Sequence, residues 1–561
     1  MRSLQIAWSV ELSNGSPFLL GLGVSKSLLA LVWIAGPLSG TLVQPYVGIR
    51  SDRCRSRFGK RRPFMVGGAA ATIISLMLLA WSREIVGGLA GVFGQDAESK
   101  NTAQATIIFA VLMVYVLDFS INCIQAAIRA FIVDCAPTHQ QDTANAWASR
   151  MTGVGNIVGY LFGYVNLPKY LWFFGDTQFK VLCVIAALAM SITLGISCIS
   201  IRERDPRGDE YEVHETGVFA FFKGLYHSMR KLPKQISRIC QVQFFAWIGW
   251  FPFLFYITTY IGEIYVQPYL IEHPDATPEE LDIVYERGTR TGTFALLIFA
   301  VATFLSSVFL PFIVAKSFHP DAEEQIRTVT PYTPVAVTPR APKTPKTPRT
   351  PKTPLTPGGH IGPGDYFAFQ PGASSKRKDT STYGAIRRFF HRLSNPEIPW
   401  LTLRRAWMLS HVFFAVLCWA TFFIHDVTGA TILVGLIGVP WAMTNWAPYA
   451  LIAAEISKRE NIRRGLIQPP ATEEGELLAS GEDPSDGADQ AGVVLGIHNV
   501  AIAAPQVIAT LVSSIIFRAL QKPRGTVGDD SVAWVLRFGG IATLIAAYMT
   551  TRVNEEKDEK A

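Results

Sequence analysis

The sequence predicts an all-α integral membrane protein with twelve transmembrane helices in two six-helix halves and both termini in the cytoplasm. Three observations lead to this fold class. Only 17% of the 561 residues are charged and 49% are hydrophobic, whereas soluble chains carry roughly 25% charged residues. Ten stretches of 17 or more residues contain no Asp, Glu, Lys or Arg. Basic residues gather in alternate connections between these stretches.

The uncharged stretches are the predicted membrane spans, because a helix needs ~20 residues to cross ~30 Å of hydrocarbon. They comprise residues 27–49, 64–82, 101–117, 151–168, 181–201, 239–262, 291–315, 406–425, 427–454 and 491–517. Segments 4–23 and 532–551, interrupted only by Glu11 and Arg537, complete the count of twelve. The charge at Glu11 and the direct run into the next span argue against a cleaved signal peptide.

The basic connections predict the sidedness of the membrane domain, because Lys and Arg accumulate on the cytoplasmic side. Six arginines and one lysine lie between residues 50 and 62, and segment 202–240 is also basic. Segment 84–103 has Lys100 as its only basic residue, and 265–281 has none. The net charge of +7 therefore reflects topology and contact with anionic lipid of the bilayer. It does not predict binding to nucleic acid.

The spans predict an N-terminal half (1–201), a cytoplasmic connection (202–238), a C-terminal half (239–552) and a cytoplasmic tail (553–561). Two six-helix halves are typical of major facilitator transporters, whose substrate site lies between the halves near the membrane midplane.

Two cytoplasmic loops interrupt the C-terminal half. Segment 317–400 carries eight Thr-Pro dipeptides, a composition that cannot build a core and predicts disorder. It is either a solvated linker or a regulatory segment phosphorylated by a kinase partner. Segment 458–490 is predicted to be a second flexible loop.

Ionisable groups at membrane depth are costly and usually functional. Asp118 lies fourteen residues into the fourth helix, about 21 Å deep at ~1.5 Å per residue. Arg129 follows on the same face about 16 Å further along, and Asn122 and Gln125 lie near the same stripe. Because burial disfavours a charged carboxyl, Asp118 is expected to take up a proton where a surface aspartate stays ionised. The alternative is an architectural contact between helices.

Other polar groups in the spans allow two interpretations. Glu11 is a second buried carboxylate. Glu286 and Arg290 have the i, i+4 spacing of a local ion pair, which is either structural or part of a gate. His498 fits a satisfied polar contact better than a proton relay.

The chain has no GxxxxGK[ST], HExxH, CxxC or GxSxG motif, so no enzymatic activity, cofactor or metal is predicted.

Several strings of residues together identify a family resemblance. The strings are Trp8-Ser-Val-Glu11-Leu, Trp33-Ile-Ala-Gly-Pro-Leu-Ser-Gly40, Gln44-Pro45, Ser51-Asp-Arg-Cys54, Ser56-Arg-Phe-Gly59, Arg61-Arg-Pro63, Gly262-Glu-Ile-Tyr265 and Tyr285-Glu286-x-Gly288-x-Arg290. Asp118, Asn122, Gln125, Arg129 and Asp134 have a similar spacing. The sequence resembles the plant sucrose–proton symporters and their fungal and animal relatives, in the glycoside branch of the major facilitator superfamily.

The resemblance implies an alpha-glucoside carrier with Asp118 as the proton-binding carboxylate and Arg129 as its electrostatic or sugar-binding counterpart. Glu11 stands where plant members have glutamine, which favours a fungal-type member. The candidate sugar contacts are Trp8, Glu11, Asn122, Gln125, Glu286 and Arg290.

Basic residues of the short loop after span 2 are predicted to hold the cytoplasmic ends of spans 2 and 3. They would bind carboxylates and helix C-termini across the interface between the halves and so favour the inward-closed state. The candidate cytoplasmic gate consists of Asp52, Arg53, Arg57, Arg61, Arg62 and Asp134.

The expected function is proton-coupled import of sucrose or a related alpha-glucoside such as maltose, by alternating access across the plasma membrane. Two alternatives stay open at this point. One is a transporter-like nutrient sensor with little flux, and the other is a carrier of a non-sugar solute.

Overall fold

The computed structural model describes most of the chain outside its long loops. The described residues are 2–52, 54–96, 99–135, 141–201, 203, 223, 226–315, 398–463, 469, 473–480 and 491–554. The described residues of 1–319 and 397–561 belong to one compact unit. Nearly all of the Thr-Pro loop lies outside the described residues, as do parts of the predicted connections 202–238 and 458–490 and of the tail 553–561.

The N-terminal part consists of nine helices within the described residues, and two of the predicted spans are made of paired shorter helices. They are α1 (Arg2–Val10), α2 (Ser16–Gly21), α3 (Lys26–Val32), α4 (Ala35–Asp52), α5 (Arg62–Ala80), α6 (Ser82–Val92), α7 (Lys100–Cys135), α8 (Gln141–Tyr164) and α9 (Gln178–Ser200). A π-helical turn, Glu11–Gly15, joins α1 to α2.

The C-terminal part continues with long helices and one pair of short strands. These elements are α10 (Lys234–Glu272), α11 (Pro278–Ile313), β1 (Val314–Ala315), β2 (Ile398–Thr402), α12 (Leu403–Ala420), α13 (Val427–Arg463), α14 (Glu473–Ser480), α15 (Ala491–Leu520) and α16 (Ser531–Thr550). The two strands pair in parallel, with Val314 opposite Ile398. They bring together the two ends of the chain that flank the Thr-Pro loop.

Helical structure occupies all twelve predicted span positions. Nine helices among the described residues are long and apolar enough to cross a membrane. The other three positions hold the α1–α2 pair, α8 and α12. The prediction of an all-α, multi-pass membrane protein is confirmed.

The first two predicted spans differ from the expectation of single straight helices. The π turn interrupts the first span, and Pro17 follows in the first turn of α2. The second span breaks between Val32 and Ala35, where Pro37 lies in the first turn of α4. Proline lacks an N–H donor and fits the first turn of a helix, where no intrahelical partner exists.

Glycines allow the closest helix crossings. A Cβ added at Gly249 of α10 would come within 2.5 Å of the Gly539 carbonyl oxygen of α16. A Cβ at Gly288 of α11 would come within 3.1 Å of the Gly262 backbone. Helices in lipid associate through small residues that let backbones approach, so these glycines determine how α10 packs on its neighbours.

Candidate proton and substrate site

Two carboxyl groups lie side by side in the interior of the N-terminal half. Glu11 is 4% exposed and Asp118 is fully buried, and the two side chains interact directly. Within the described part of the chain, no donor reaches any of their four oxygens. Two uncompensated charges in an apolar site would be very costly. A proton on at least one member of the pair would lower this cost.

The local sequence creates the space that this pair occupies. Glu11 begins the π turn of the first span, and π turns inside helices occur often at functional sites. On α4, a Cβ at Gly36 would lie 3.6 Å from the Asp118 carboxylate, and one at Gly40 would lie 3.8 Å from Asn122 Oδ1. The four-residue spacing of the glycines thus matches the four-residue spacing of the polar side chains on α7.

The predicted polar stripe on α7 joins three helices. Asn122 Nδ2 donates to Ser39 Oγ at 2.8 Å, and Gln44 Nε2 donates to Asn122 Oδ1 at 2.7 Å. Trp8 Nε1 donates to Gln125 Oε1 at 3.1 Å. These contacts fix α1 and α4 against α7 and keep the polar groups of Trp8, Asn122 and Gln125 hydrogen-bonded.

Arg129 occupies a different environment from Asp118. The two residues share the unbroken helix α7, but Arg129 is exposed and its charge acts on the hydroxyl of Tyr449 in α13. Among the described residues, Arg129 and Asp118 form no ion pair. The carboxyl partner of Asp118 is Glu11, and the contact of Arg129 is with the C-terminal half.

A cavity of about 530 Å³ opens at the ends of the helices that the sequence places outside the cell. Both halves line it, including Asn14 of the π turn, Thr258 and Thr259 of α10, and Glu286 and Thr289 of α11. The hydroxyls of Thr258 and Thr259 are buried with no partner in the described part of the chain. A cavity of this size lies in the range of small-molecule sites, ~300–1,000 Å³.

An aromatic pair separates this cavity from the carboxyl pair. Phe18 and Phe179 stack with ring centroids 4.2 Å apart, and both line the large cavity. They also line a second cavity of about 10 Å³, which Glu11 borders. That space is near the minimum that one water molecule requires. A shift of these rings would connect Glu11 to the outer cavity.

The predicted pair Glu286 and Arg290 does not form an ion pair among the described residues. Glu286 lines the outer cavity, while Arg290 Nε donates to the carbonyl oxygen of Tyr164 in α8 at 3.1 Å. Arg290 thus links the two halves.

Sequence reasoning missed a buried charge cluster that joins the two halves on the extracellular side. Lys26 of α3 forms ion pairs with Glu263 of α10 and with Asp529 of the loop before α16, the latter at 2.8 Å. Lys26 Nζ also donates to Ser531 at 3.3 Å. Partial burial would raise the pKa of Asp529, but the Lys26 ammonium holds that pKa below its usual value. The only sequence signal was the presence of charges at the outer ends of spans.

A second buried lysine lies on the N-terminal wall of the same cavity. Lys180 Nζ contacts Glu84 at 2.5 Å and Asp176 at 2.6 Å. The hydrogen bond from Lys180 holds the pKa of Asp176 below its usual value. This cluster ties the start of α9 to the start of α6 and stays within one half.

The candidate gate residues on the cytoplasmic side hold the N-terminal half together. Arg61 is buried, and its Nε donates to Asp134 at 2.7 Å, while its Nη1 donates to Ser51. The Arg61 backbone N–H meets Glu203 at 3.1 Å, and Arg62 donates to the Ile201 carbonyl. These contacts join the ends of α4, α5, α7 and α9.

Of the remaining gate candidates, the structure describes only the side chain of Arg57. Arg57 is exposed and stacks on Phe58 at 4.8 Å. The side chains of Asp52 and Arg53 lie outside the described residues.

His498 makes one polar contact, while its Nδ1 is buried with no hydrogen-bond partner among the described residues. Its Nε2 lies 3.2 Å from Gln243 Nε2, and its ring meets Tyr449 edge-on at 4.9 Å. Within the described ranges, no group of three or more His, Cys, Asp or Glu side chains could hold a metal ion.

The fold and the site together define a multi-pass membrane transport protein, not an enzyme. A family model described as the Major Facilitator Superfamily matches residues 6–329. The chain is 35% identical to a general alpha-glucoside permease of Schizosaccharomyces pombe, over 97% of this chain and 90% of that one. It therefore belongs to the Major Facilitator Superfamily.

Two further proteins are similar over different lengths. A sucrose transport protein of Oryza sativa subsp. japonica is 30% identical over 54% of this chain and 61% of its own length. The crystal structure of a D-xylose–proton symporter aligns over 100% of this chain and 97% of that chain, with 13% identity and a TM-score of 0.49. A likeness at that level informs neither substrate nor mechanism.

Proposed function

We propose that this transporter imports sucrose or a related alpha-glucoside such as maltose together with a proton, by alternating access at the plasma membrane. The observation that carries the proposal is the buried pair of Glu11 and Asp118, which lies behind a polar cavity shared by both halves. The names of the two relatives, an alpha-glucoside permease and a sucrose transport protein, support the choice of sugar.

The carboxyl pair supplies the chemistry that coupling requires. A proton that binds to Asp118 or Glu11 changes both the charge and the hydrogen-bonding role of the pair. An electrical gradient supplies ~2.3 kcal/mol per charge per 100 mV, which adds to the pH gradient. Protonation from the outside and release to the inside would then drive the uptake of sugar.

The outer cavity is suited to a sugar. Hydroxyl groups need hydrogen-bonding partners and apolar sugar faces pack on aromatic rings, a combination typical of small-molecule sites. The unpartnered hydroxyls of Thr258 and Thr259 and the rings of Phe18 and Tyr285 provide both. Glu286 on the same wall is in a position to accept a hydrogen bond from a sugar hydroxyl.

Opening and closing of the extracellular side would involve the cross-half contacts. The ion pairs of Lys26 with Glu263 and Asp529 join the halves beside the cavity, so they must break or rearrange when the halves separate. On the opposite side, Arg61 and Asp134 act within one half and are proposed to keep it rigid as it rocks.

Uptake of radiolabelled sucrose and maltose by yeast cells that lack their own sugar transporters tests this proposal. We expect accumulation against a concentration gradient that a protonophore abolishes. A panel of competing sugars and non-sugar solutes identifies the preferred substrate. Surface expression without uptake of any solute would favour a nutrient sensor, and competition only by non-sugars would reject the sugar assignment.

A further inference from the structure

A basic pocket of about 540 Å³ lies at the cytoplasmic ends of three membrane helices, far from the proposed sugar path. It is formed by the start of α10, the start of α12 and the end of α16. Four cations line it and no carboxylate does among the described residues. The cations are Lys234, Arg238, Arg404 and Arg552.

Hydrogen bonds hold two of these cations in place. Arg404 Nη1 donates to the carbonyl oxygen of Val553 at 2.9 Å, and Arg238 Nη1 donates to Asn554 Oδ1 at 2.5 Å. Gln235 makes two hydrogen bonds of 3.0 Å with the Asn554 backbone. Because a guanidinium has five N–H donors and Arg238 donates from Nη1 to Asn554, Arg238 keeps donors for a ligand. The pocket is therefore built before any ligand binds.

The start of α10 adds to the attraction for an anion. Its N-cap residue, Pro233, provides no side-chain cap for the first turn. The free N–H groups of a helix start carry partial positive charge and favour negative ligands. Lys234 and Arg238 stand one turn apart on this same helix end, so the backbone and the side chains attract the same kind of group.

Aromatic side chains place the pocket at the depth of lipid headgroups. Tyr548 and Trp400 are each 58% exposed, and tyrosine and tryptophan concentrate at membrane interfaces. Arg552 lies over the Tyr548 ring at 5.1 Å. Trp400 lies four residues before Arg404 and accepts a hydrogen bond from Arg405 through its carbonyl oxygen.

We propose that this pocket binds the phosphate groups of an anionic lipid of the cytoplasmic leaflet. Four cations around one cavity match a headgroup with more than one phosphate, and phosphorylated inositol lipids are the class that fits. Basic pockets between membrane helices on the cytoplasmic side are suited to such headgroups. Binding there would join α10, α12 and α16 of the C-terminal half, independently of which solute is transported.

The test compares the full-length protein in nanodiscs of phosphatidylcholine with nanodiscs that also contain phosphatidylinositol bisphosphate. Lipid binding is measured by native mass spectrometry and by the rise in Tm. The variant is Lys234→Gln with Arg552→Gln. Its control is Lys223→Gln with Arg230→Gln, which removes the same charges from exposed cytoplasmic positions, where Arg230 also stacks on a tyrosine, Tyr226, at 5.0 Å.

We expect the pocket variant to bind the lipid about tenfold more weakly or worse, since each basic residue near the membrane surface contributes substantially to binding anionic lipid. The control variant should bind like the unmodified protein. Equal weakening in both variants, or none in either, would overturn the proposal. If the double variant does not fold in phosphatidylcholine, Lys234→Gln alone carries the comparison, because this exposed side chain lies at the first position of α10.

Two competitors and one truncation separate the possible sources of the anion. The soluble headgroup inositol trisphosphate should compete only weakly, because it lacks the membrane anchor; equal affinity would assign the pocket to a soluble phosphate ester. A phosphothreonine peptide with the sequence of residues 343–354 that displaces the lipid at lower concentration would assign it to the chain's own loop. Lipid binding that appears only after truncation behind Asn554 would assign it to the acidic tail. Each of these three results would overturn the proposal.

Discussion

At the scale of single residues, buried charge is the main determinant of what this protein can do. Among the described residues, the carboxylate oxygens of Glu11 and Asp118 have no hydrogen-bond donor, whereas Lys26 pairs with two carboxylates at once. The carboxyl pair is neutral only when both of its members carry protons. The Lys26 cluster is a set of ion pairs that joins the two halves. The same residue types are therefore proposed to serve coupling in one place and closure in the other.

The ion pair of Asp529 predicts a pH-dependent stability. A carboxyl whose pKa is lower in the folded protein stabilises the fold above its unfolded pKa of ~3.9, and this contribution disappears as the pH falls through the folded-state pKa. We expect Asp529→Asn to lower the free energy of unfolding at pH 7 by roughly 1–3 kcal/mol. The difference from the unmodified protein should vanish in strong acid. Thermal unfolding across a pH series measures it.

The matched control is Asp282→Asn. Asp282 pairs with Arg524 at 2.7 Å, but its side chain is 49% exposed, and exposed pairs contribute only ~0–1 kcal/mol. The assignment of a buried ion cluster would be contradicted if Asp282→Asn lowered the free energy of unfolding as much as Asp529→Asn does. It would also be contradicted if the effect of Asp529→Asn persisted in strong acid.

The sequence identified some of the buried charged residues, but it could not show which side chains they contact. Asp118 stands out because a carboxylate at membrane depth is rare. Its neighbour Glu11 is more than a hundred positions away, and their contact depends on a π turn that periodicity does not predict. Lys26 and Glu263 stand at the edges of apolar stretches, where charges are ordinary. The family resemblance drew attention to Glu263, but nothing in the sequence indicated that the two would pair.

At the scale of elements, the length of the uncharged stretches predicted where the helices lie, but it did not predict where those helices break. Every predicted span position holds helix, because about twenty apolar residues have few alternatives in a bilayer. The breaks at Glu11–Gly15 and between Val32 and Ala35 arise from packing and from proline at the next helix start. The β1–β2 pair was not predicted, since its strands lie on either side of a loop of about eighty residues.

Close helix crossings give a prediction about glycine. In Gly249→Ala the new methyl group would lie 2.5 Å from the Gly539 carbonyl oxygen. This oxygen belongs to the backbone of α16, so it cannot rotate away from the methyl group as a side chain could. Overpacking of this kind costs ~1–3 kcal/mol, so we expect a clear fall in Tm and in the yield of folded protein.

Gly67→Ala is the control for this crossing, because a Cβ at Gly67 meets nothing within 4 Å. This change should leave Tm unchanged or raise it slightly, since alanine favours helix over glycine. An equal fall in both variants would show that the crossing of α10 and α16 is not the cause.

At the scale of the whole molecule, the membrane unit and the Thr-Pro loop should behave as separable parts. The compact membrane unit does not include residues 320–396, and a composition like that of this loop buries little apolar surface. We expect deletion of residues 325–380 to leave folding and sugar affinity intact. Maximal velocity or abundance at the cell surface should change instead if threonine phosphorylation regulates the loop.

Uptake kinetics and surface abundance, measured in the same cells for this deletion and for an all-Thr→Ala version of the loop, provide the test. A rise in the apparent KM of the deletion variant would show that the loop is coupled to the transport site. Unchanged velocity and abundance in both variants would leave the loop as a linker without a regulatory role.

Coupling of sugar movement to proton movement is a property of the whole molecule that depends on the buried carboxyl pair. In Asp118→Asn the side chain keeps its shape and can no longer bind and release a proton. Exchange of sugar down its own gradient requires no proton and should survive. We therefore expect Asp118→Asn to lose proton-driven accumulation of sugar and to keep exchange of sugar down its gradient.

The most direct measurement is sugar accumulation in proteoliposomes under an imposed inward proton gradient. The unmodified protein should concentrate radiolabelled sucrose or maltose above equilibrium. Asp118→Asn should only equilibrate it, while it retains exchange of labelled for unlabelled sugar as proof of folding. If Asp118→Asn still concentrated the sugar with the pH dependence of the unmodified protein, the buried carboxyl pair would not be the coupling site.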